Sequence, residues 1–444
     1  MYQTDFNSEE FVARRKQVLE AIGNKAVALV QGGPKEPAHD VFRQTNDFYY
    51  LCGVEVPHAY LLIDGRTQAS YLFLPHQPPE RHDKEGEALS PQNADVACQL
   101  TGVDQVHGIE MLGRFLERST QVFTPIRDAE GAGMSWDTLQ RAHQETIADP
   151  WDGYPGRMRS FVAQLRDRVP LADLQDLAPV LDGLRLIKSG PEIALLRKAG
   201  QLTAAAIVEA MRSTQPGVME YQLDAAMRYI YLVNGSRDAG YRAIIAGGAN
   251  TWYGHYKAND QLLADGDLVL ADCAPDYRYY TSDIGRMWPV NGQYSDVQRE
   301  LYGFIVAYHK TFLDLVRPGV TPEQILDEAA ERMCLVVDNT NFSKPIYEQS
   351  ARRALEFRGH LSHPVGMAVH DVGNYRGKPL QPGLVLTLDP MMWVPEEKRY
   401  IRVEDTLLIT EDGFENFTQD APLELDDVEA MVKQTGMLQD YPTL

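Results

Sequence analysis

The chain has 444 residues, of which 44% are apolar and 24% are charged. This composition is typical of a folded globular protein, and the length predicts two or three domains. Lysine and arginine together number 42 against 63 aspartates and glutamates, which gives a formal net charge of −21. Because such a chain repels phosphate backbones and anionic lipid headgroups, we expect no nucleic-acid partner and no membrane partner.

Three further features concern the cellular compartment. No apolar run approaches the roughly 18–20 residues that a transmembrane helix requires. The opening MYQTDFNSEEF has neither the basic nor the apolar region of a secretory signal. The four cysteines are scattered without a CxxC pair, so no disulfide framework is expected. These features predict a cytoplasmic protein.

The first third of the chain combines a helical pattern with short apolar runs. Residues 7–22 carry apolar side chains at helical spacing, and Asn7 with Glu10 fits a helix N-cap followed by an acidic third position. Four runs of strand length follow, at residues 25–31, 48–54, 59–64 and 70–75. We therefore predict an α/β domain over residues 1–174.

A second domain is predicted over residues 175–444, after the turn-rich PWDGYPG segment. Residues 184–188 (LRLIK) resemble a strand. Ser189 and Glu192 then form a capping box, which predicts a helix ending near Thr214.

Two later helices, at residues 221–233 and 296–316, are interspersed with two pairs of strand-like runs. GDLVLAD and GLVLTLD, one from each pair, resemble each other and suggest a duplicated half-domain. The predicted fold class is a mixed α/β (α+β) protein.

Two aspartates are predicted to face each other in the first strand pair. A hairpin centred between residues 277 and 278 places Asp272 opposite Asp283. Directly opposed side chains lie about 4.5–5.5 Å apart at Cβ, so two carboxylates would repel each other there. A bound divalent cation would compensate for this repulsion; alternatively, the turn lies elsewhere and one aspartate faces solvent.

The second strand pair repeats the arrangement. A run ending at Asp389 is followed by a loop and then by RYIRVEDTLLIT. Folding the chain back puts Asp389 roughly level with Glu404. A second pair of adjacent carboxylates in the same domain strengthens the case for a cation site.

Histidines cluster between these two pairs. His360, His363 and His370 lie in GHLSHPVGMAVHDVG, and His255 lies in an aromatic segment further upstream. A single histidine is most often an ordinary surface or core residue. A cluster favours a site, since imidazole is both a common nitrogen ligand and a general acid or base near neutral pH.

Four carboxylates and one histidine therefore form a candidate ligand set. Oxygen-rich ligation with one nitrogen suits Mn²⁺, Co²⁺, Fe²⁺ or Zn²⁺, and five ligands are enough for two ions sharing a hydroxide. The chain lacks GxxxxGK[ST], HExxH and GxSxG, so the commonest rival NTPase and hydrolase motifs are absent. The candidate ligands are Asp272, Asp283, His363, Asp389 and Glu404.

The catalytic half resembles the pita-bread metallopeptidases, which include aminopeptidase P, prolidase, methionine aminopeptidase and creatinase. LVLAD, SDIGR, LSHPVGMAVHDVG, LTLDP and RVED occur in the order found in that family. FRQTNDFYYLCGVEVPHAYLLI, at residues 42–63, resembles the amino-terminal domain of aminopeptidase P. Aminopeptidase P is thus the nearest subgroup, with prolidase next.

This resemblance assigns roles to individual residues. The five candidate ligands match the family's metal-ligand positions, and Asp283 and Glu404 match the two that bridge the ions. His255 and His370 match the outer histidines that contact substrate. Arg402 matches the arginine beside the bridging glutamate.

The resemblance implies a pita-bread catalytic domain holding two divalent ions, foremost Mn²⁺, with Co²⁺ or Zn²⁺ as alternatives. The implied reaction is release of the amino-terminal residue from short peptides with proline in second position, by attack of a metal-bridging hydroxide. Assembly as a homo-oligomer, a dimer or a tetramer, is also implied. Rival predictions are a prolidase restricted to Xaa-Pro dipeptides, a creatinase-like C–N hydrolase, and a binding protein.

Three positions depart from the family pattern. Asp389 stands where glutamate is usual, Gly285 stands where a hydroxyl residue is usual, and His360 lies one residue away from the expected histidine position. Since aspartate is one methylene shorter than glutamate, Asp389 could ligate after a strand shift, bind one ion loosely, or fail as a base.

Overall fold

A computed structural model describes residues 2–35, 41–78, 80, 83 and 86–441. The chain divides into two compact units, Met1–Arg185 and Leu186–Leu444, each described separately below. The sequence-based boundary, between residues 174 and 175, lies shortly before this division. Among the described residues, no helix is both long enough and apolar enough to cross a bilayer.

The amino-terminal unit is a mixed α/β structure. Its helices are α1 (Ser8–Ile22), α2 (Asn46–Cys52), α3 (Ala94–Thr101), α4 (Leu112–Leu116), α5 (Trp136–Ala148), α6 (Gly156–Arg168) and α7 (Ala178–Leu186). Its strands are β1 (Val27–Gln31), β2 (Tyr60–Asp64), β3 (Ala69–Leu74), β4 (Gln105–Gly108), β5 (Gln121–Thr124) and β6 (Asp173–Asp176). Short 3₁₀ turns occur at Pro91–Asn93 and Ile109–Met111.

These strands form one six-stranded sheet in the order β4-β3-β2-β1-β5-β6. The β1, β2 and β3 strands pair antiparallel, whereas β4, β5 and β6 join in parallel. Apolar side chains of β1 and β2 pack with Met158, Phe161 and Leu165 of α6 to form a core. Asn7 caps α1 by accepting the Glu10 amide at 3.0 Å, which confirms the predicted helix start.

The predicted strand at residues 48–54 is wrong, because this segment forms α2. All seven residues of α2 are buried, and a helix buried on every side gives the same unbroken apolar run as a buried strand. Two buried arginines of α1 stabilise the carboxyl end of α2, since Arg14 donates to the Tyr50 carbonyl and Arg15 to the Leu51 carbonyl, both at 2.9 Å. Gly53 then ends the helix with a left-handed φ of 67°.

The carboxy-terminal unit also mixes helices and strands. Its remaining helices are α8 (Gly190–Ser213), α9 (Glu220–Val233), α10 (Asp296–Leu313), α11 (Pro322–Asp338), α12 (Pro345–Leu355), α13 (Leu425–Val432) and α14 (Met437–Asp440). Its strands are β7 (Ile244–Gly247), β8 (Leu268–Asp272), β9 (Gly285–Pro289), β10 (Val385–Leu388), β11 (Met391–Val394), β12 (Arg399–Arg402), β13 (Asp405–Ile409) and β14 (Phe414–Asn416). Further 3₁₀ turns occur at Gly248–Trp252 and Pro395–Glu397.

The carboxy-terminal strands form three antiparallel groups, β7-β8-β9, β10-β13-β14 and β11-β12. The predicted helices are present as α8, α9 and α10, although α10 ends at Leu313 rather than near 316. Glu192 accepts the Ser189 amide at 3.0 Å at the start of α8. The strand-like prediction for LRLIK is wrong, because these residues close α7 and only Ile187 makes a β-bridge, to Leu384.

A buried ion-pair network in the amino-terminal unit offers a test of this packing. Arg185 contacts Asp47 and Glu130, each at 2.7 Å, with its side chain 1% exposed. Replacing Arg185 with Met leaves two buried carboxylates short of a partner, so we expect the stability of this unit to fall by about 3–5 kcal/mol.

Arg197→Met is the matched control. Arg197 pairs with Glu415 at 2.6 Å, but both side chains are more than a third exposed. We expect this change to cost about 0–1 kcal/mol. Urea unfolding followed by circular dichroism measures the loss of stability in each variant. Equal losses in the two variants would contradict the described network.

Candidate metal centre

The turn between β8 and β9 sets the position of the first two carboxylates. Asp272 is the last residue of β8 and pairs with Gly285, so the predicted pairing of Asp272 with Asp283 is wrong. The backbone of Tyr277 and Tyr280 exchanges hydrogen bonds of 2.8 and 3.0 Å across a two-residue turn. Arg278 and Tyr279 within it have φ of 53° and 77°, as in a type I′ turn.

This turn centres the hairpin one residue later than predicted, which moves every cross-strand partner by two positions. Because side chains alternate with a period of two, such a shift keeps Asp283 on the side of the hairpin that carries Asp272. The two carboxylates do meet: the Tyr241 hydroxyl lies 2.7 Å from Asp272 Oδ1 and 2.6 Å from Asp283 Oδ1. The predicted proximity therefore holds although the predicted register does not.

Tyr241 is a site residue that sequence reasoning missed. It precedes β7, and nothing in its local sequence marks it as part of a carboxylate cluster. Burial raises the pKa of its hydroxyl well above the usual range, and Asp272 and Asp283 raise it further. Tyr241 therefore stays protonated and supplies one donor to two carboxylates.

The second pair of carboxylates lies where the sequence predicts. Leu388 pairs with Asp405 in one ladder and Met391 with Arg402 in the next, so the common register puts Asp389 level with Glu404. At this level the Glu404 backbone forms its two hydrogen bonds with the Gly285 backbone instead, with N–O distances of 3.0 and 3.1 Å. This bridge joins the first hairpin to the second and brings all four carboxylates together.

His363 completes a cluster that can hold a cation. Its Nε2 lies 3.4 Å from Asp283 Oδ2 and 4.0 Å from Glu404 Oε1, and the three ligand atoms all lie within 4.8 Å of one another. Glu404 is fully buried, yet its Oε1 has no hydrogen-bond partner among the described residues. A buried carboxylate oxygen beside an imidazole and a second carboxylate fits a divalent metal ion.

Arg402 contacts three of the five ligand candidates. Its Nε donates to Asp389 Oδ1 at 2.8 Å, its Nη1 donates to Asp272 Oδ2 at 2.7 Å, and its Nη2 donates to Glu404 Oε2. Each of these three carboxylates thus gives one oxygen to the guanidinium, and the other oxygen of Glu404 lies on the His363 side.

Burial raises the pKa values of three acidic groups in the site. Burial raises the pKa of Glu404 and of Asp283 well above their usual ranges, and Asp272 adds to the effect at Asp283. Burial also raises the pKa of Asp389, although Arg402 opposes that shift. Carboxylates crowded in this way favour any cation that can reach them.

The two outer histidines differ in their surroundings. The His370 ring lies 4.2 Å from the His363 ring, centroid to centroid, so it borders the cluster. His255 is exposed in the loop after the 3₁₀ turn Gly248–Trp252. A Cβ built on the neighbouring Gly254 would lie 3.6 Å from the Tyr400 ring, which places this loop beside β12.

The role of the Tyr241 hydroxyl, which contacts both Asp272 and Asp283, can be tested by removing its oxygen. Tyr241→Phe leaves Asp272 and Asp283 without the hydroxyl that orients them, so we expect Mn²⁺ affinity to fall about 10–100-fold. Isothermal titration calorimetry measures the change. The control is Tyr229→Phe on the exposed face of α9, and equal affinities for the two variants would contradict a role for Tyr241.

Known proteins resemble this chain along almost its whole length. Residues 194–411 match the profile described as metallopeptidase family M24, and residues 11–123 match the aminopeptidase P amino-terminal domain. The Xaa-Pro aminopeptidase of Escherichia coli is 30% identical, covering 97% of this chain and 98% of its own. Human Xaa-Pro aminopeptidase 3 is also 30% identical, covering 96% of this chain and 86% of its own.

Solved structures agree. Proline aminopeptidase P II from Yersinia pestis aligns with a TM-score of 0.77 at 30% identity, covering 96% of this chain and 99% of that one. Escherichia coli aminopeptidase P with the inhibitor Pro-Leu aligns with a TM-score of 0.76 at 29% identity, covering 97% and 99%. The carboxy-terminal unit thus has the pita-bread fold that the sequence predicts, and this chain belongs to the aminopeptidase P family of metallopeptidases.

Proposed function

We propose that this protein is a metal-dependent aminopeptidase that releases the first residue of peptides whose second residue is proline. The observation that carries the proposal is the buried cluster of Asp283, His363 and Glu404, in a chain that aligns end to end with Xaa-Pro aminopeptidases. Neither rival activity, prolidase or creatinase-like hydrolysis, has a comparable observation in its favour.

Two divalent ions would be held by the five ligand positions, with Asp283 and Glu404 shared between them. Mn²⁺ is our first choice, with Co²⁺ or Zn²⁺ as alternatives, because carboxylate oxygens with one imidazole accept all three. Bound ions would polarise the scissile carbonyl and lower the pKa of water enough to supply hydroxide at neutral pH.

The remaining side chains have positioning and proton-handling roles. His370, beside His363, and His255, in the exposed loop, would donate hydrogen bonds to the oxygen that gains negative charge at the scissile carbonyl. Asp389 or Glu404 would hold the proton released by the attacking water. We further propose a cytoplasmic homo-oligomer, a dimer or a tetramer, acting on short peptides.

Substrate length separates the candidate activities. Purified protein loaded with Mn²⁺ should release the first residue from an Xaa-Pro-Xaa tripeptide, and a chelator should abolish the release. Mass spectrometry identifies the products, and an Xaa-Ala-Xaa tripeptide is the specificity control. Cleavage of an Xaa-Pro dipeptide alone would identify a prolidase, whereas cleavage of neither peptide would contradict peptidase function.

The role of His370 can be separated from metal binding. His370→Ala should lower kcat about 10²–10³-fold, as loss of an oxyanion donor does, while the bound metal stays unchanged. Steady-state kinetics with the tripeptide and elemental analysis of the same sample measure both quantities. His76→Ala, at an exposed histidine of the amino-terminal unit, should leave both unchanged. Loss of metal together with activity would instead make His370 a ligand.

A further inference from the structure

His255 lies in the segment that joins β7 to β8, at residues 248–267. The tip of this segment is largely exposed, and Tyr253, His255 and Lys257 are among its exposed residues. A segment with few buried apolar contacts opens easily unless other contacts fix it. A catalytic imidazole on such a segment needs those contacts, since a displacement of about 1 Å can cost about 10²-fold in rate.

Glu220, the first residue of α9, makes such contacts from a fully buried position. Its Oε1 accepts hydrogen bonds from the Gly247 amide at 2.7 Å and from Asn250 Nδ2 at 3.1 Å. Its Oε2 accepts one from the Gln261 amide at 3.0 Å, and the Gln261 carbonyl accepts the Glu220 amide at 3.0 Å. One carboxylate thus holds together the two ends of residues 247–261.

These contacts differ from those of a helix cap. An acidic side chain in the first turn usually stabilises the first amides of its own helix. At the start of α9 the cap comes from Gln222, whose Oε1 accepts the Met219 amide at 2.8 Å. Both Glu220 oxygens instead accept donors of residues 247–261. A carboxylate, which only accepts hydrogen bonds, suits three donors better than a side-chain amide does.

Two further hydrogen bonds extend this anchorage to His255. The Asn250 carbonyl accepts the Tyr253 amide at 3.0 Å, and the Tyr253 carbonyl accepts the Tyr256 amide at 2.9 Å. His255 lies within the second of these turns. The contact between Glu220 and Asn250 is therefore continued by two backbone turns that end around His255.

The later arm of the segment has an anchor of its own. Asn259, also buried, donates through Nδ2 to the Ala243 carbonyl at 2.9 Å, and its Oδ1 accepts the Ile245 amide at 3.2 Å. Loss of the Glu220 carboxylate should therefore displace the turn at His255 without releasing the whole segment.

We propose that Glu220 is a positioning residue for His255. It acts through the backbone turns of residues 250–256, which it fixes to the start of α9. The inference rests on the proposed function in taking His255 as a hydrogen-bond donor to the scissile carbonyl.

Glu220→Gln tests the proposal, because it keeps one acceptor oxygen and turns the other into a donor that faces donors. The Mn²⁺-loaded variant should cleave an Xaa-Pro-Xaa tripeptide with kcat lowered about 10–100-fold and with its bound metal unchanged. Steady-state kinetics and elemental analysis of the same sample measure both quantities. An unchanged kcat in the folded variant would overturn the proposal.

A double-mutant cycle shows whether Glu220 acts through His255. His255→Ala alone should lower kcat about 10²–10³-fold, as loss of an oxyanion donor does. In that background Glu220→Gln should cost less than about 2-fold, because the residue that Glu220 positions is gone. Equal losses with and without His255 would mean that Glu220 only supports the fold, and would overturn the proposal.

Amide hydrogen exchange measures the anchorage without activity. Residues 247–261 should exchange faster in Glu220→Gln than in the wild-type chain, whereas His255→Ala should leave the Gly247 and Gln261 amides protected. Unchanged protection in Glu220→Gln would overturn the proposal.

Asn250→Ala tests the same connection if Glu220→Gln fails to fold. It removes one donor from a half-buried side chain and leaves the buried carboxylate its two backbone donors. We expect kcat to fall about 2–10-fold, the worth of one hydrogen bond, and only where His255 is present. An unchanged kcat would overturn the proposal.

Glu429→Gln is the matched control. Glu429, on α13, also accepts a backbone amide, that of Tyr294 at 2.9 Å, and its side chain is 14% exposed. This change should leave kcat unchanged, and a loss equal to that of Glu220→Gln would overturn the proposal. A wild-type chain that cleaved no tripeptide would instead contradict the proposed function itself, whereas an active enzyme indifferent to Glu220→Gln would overturn this inference alone.

Discussion

The candidate metal centre depends on one backbone pairing, the β-bridge between Gly285 and Glu404. It ties the β8–β9 hairpin to the strand that leads into β13, so carboxylates far apart in sequence share one buried space. Arg286 reinforces the bridge by donating to the Glu404 carbonyl at 2.7 Å and the Gly285 carbonyl at 3.0 Å. The ligand geometry therefore follows from strand pairing rather than from loops.

A group of buried charged side chains next to this pairing supports it. Asp405 accepts from Arg286 at 2.7 Å and contacts His309 Nε2 at 2.7 Å, and all three side chains are almost fully buried. Burial alone would raise the pKa of Asp405, but Arg286 and His309 lower it below its usual range. Asp405 thus remains a carboxylate that fixes β13 directly next to Glu404.

The centre concentrates negative charge where water cannot screen it. Arg402 offsets part of that charge and the neutral Tyr241 hydroxyl donates to Asp272 and Asp283, yet burial still holds the pKa values of Asp283, Asp389 and Glu404 above their usual ranges. Buried like charges are stabilised by a counter-charge, and Glu404 Oε1 has no hydrogen-bond partner within the part of the chain that the structure describes. Cation binding and folding are coupled in such a site.

Local signals in the sequence were enough for some features and not for others. The caps at Asn7 and Ser189 predicted helix starts, and simple counting placed Asp389 level with Glu404. The first register failed because the type I′ turn at Arg278 and Tyr279 uses residues that rarely adopt positive φ, so no turn signal marked it. Tyr241 escaped notice because only tertiary packing brings it to the carboxylates, and α2 because complete burial hides helical periodicity.

The most direct test is an anomalous-difference map from crystals of this protein grown with Mn²⁺. The strongest peak should lie between Asp283 Oδ2, His363 Nε2 and Glu404 Oε1, within ligand distance of all three. Mn²⁺ bound only at surface carboxylates, with no peak in this cluster, would contradict the assignment of the cluster as the metal centre.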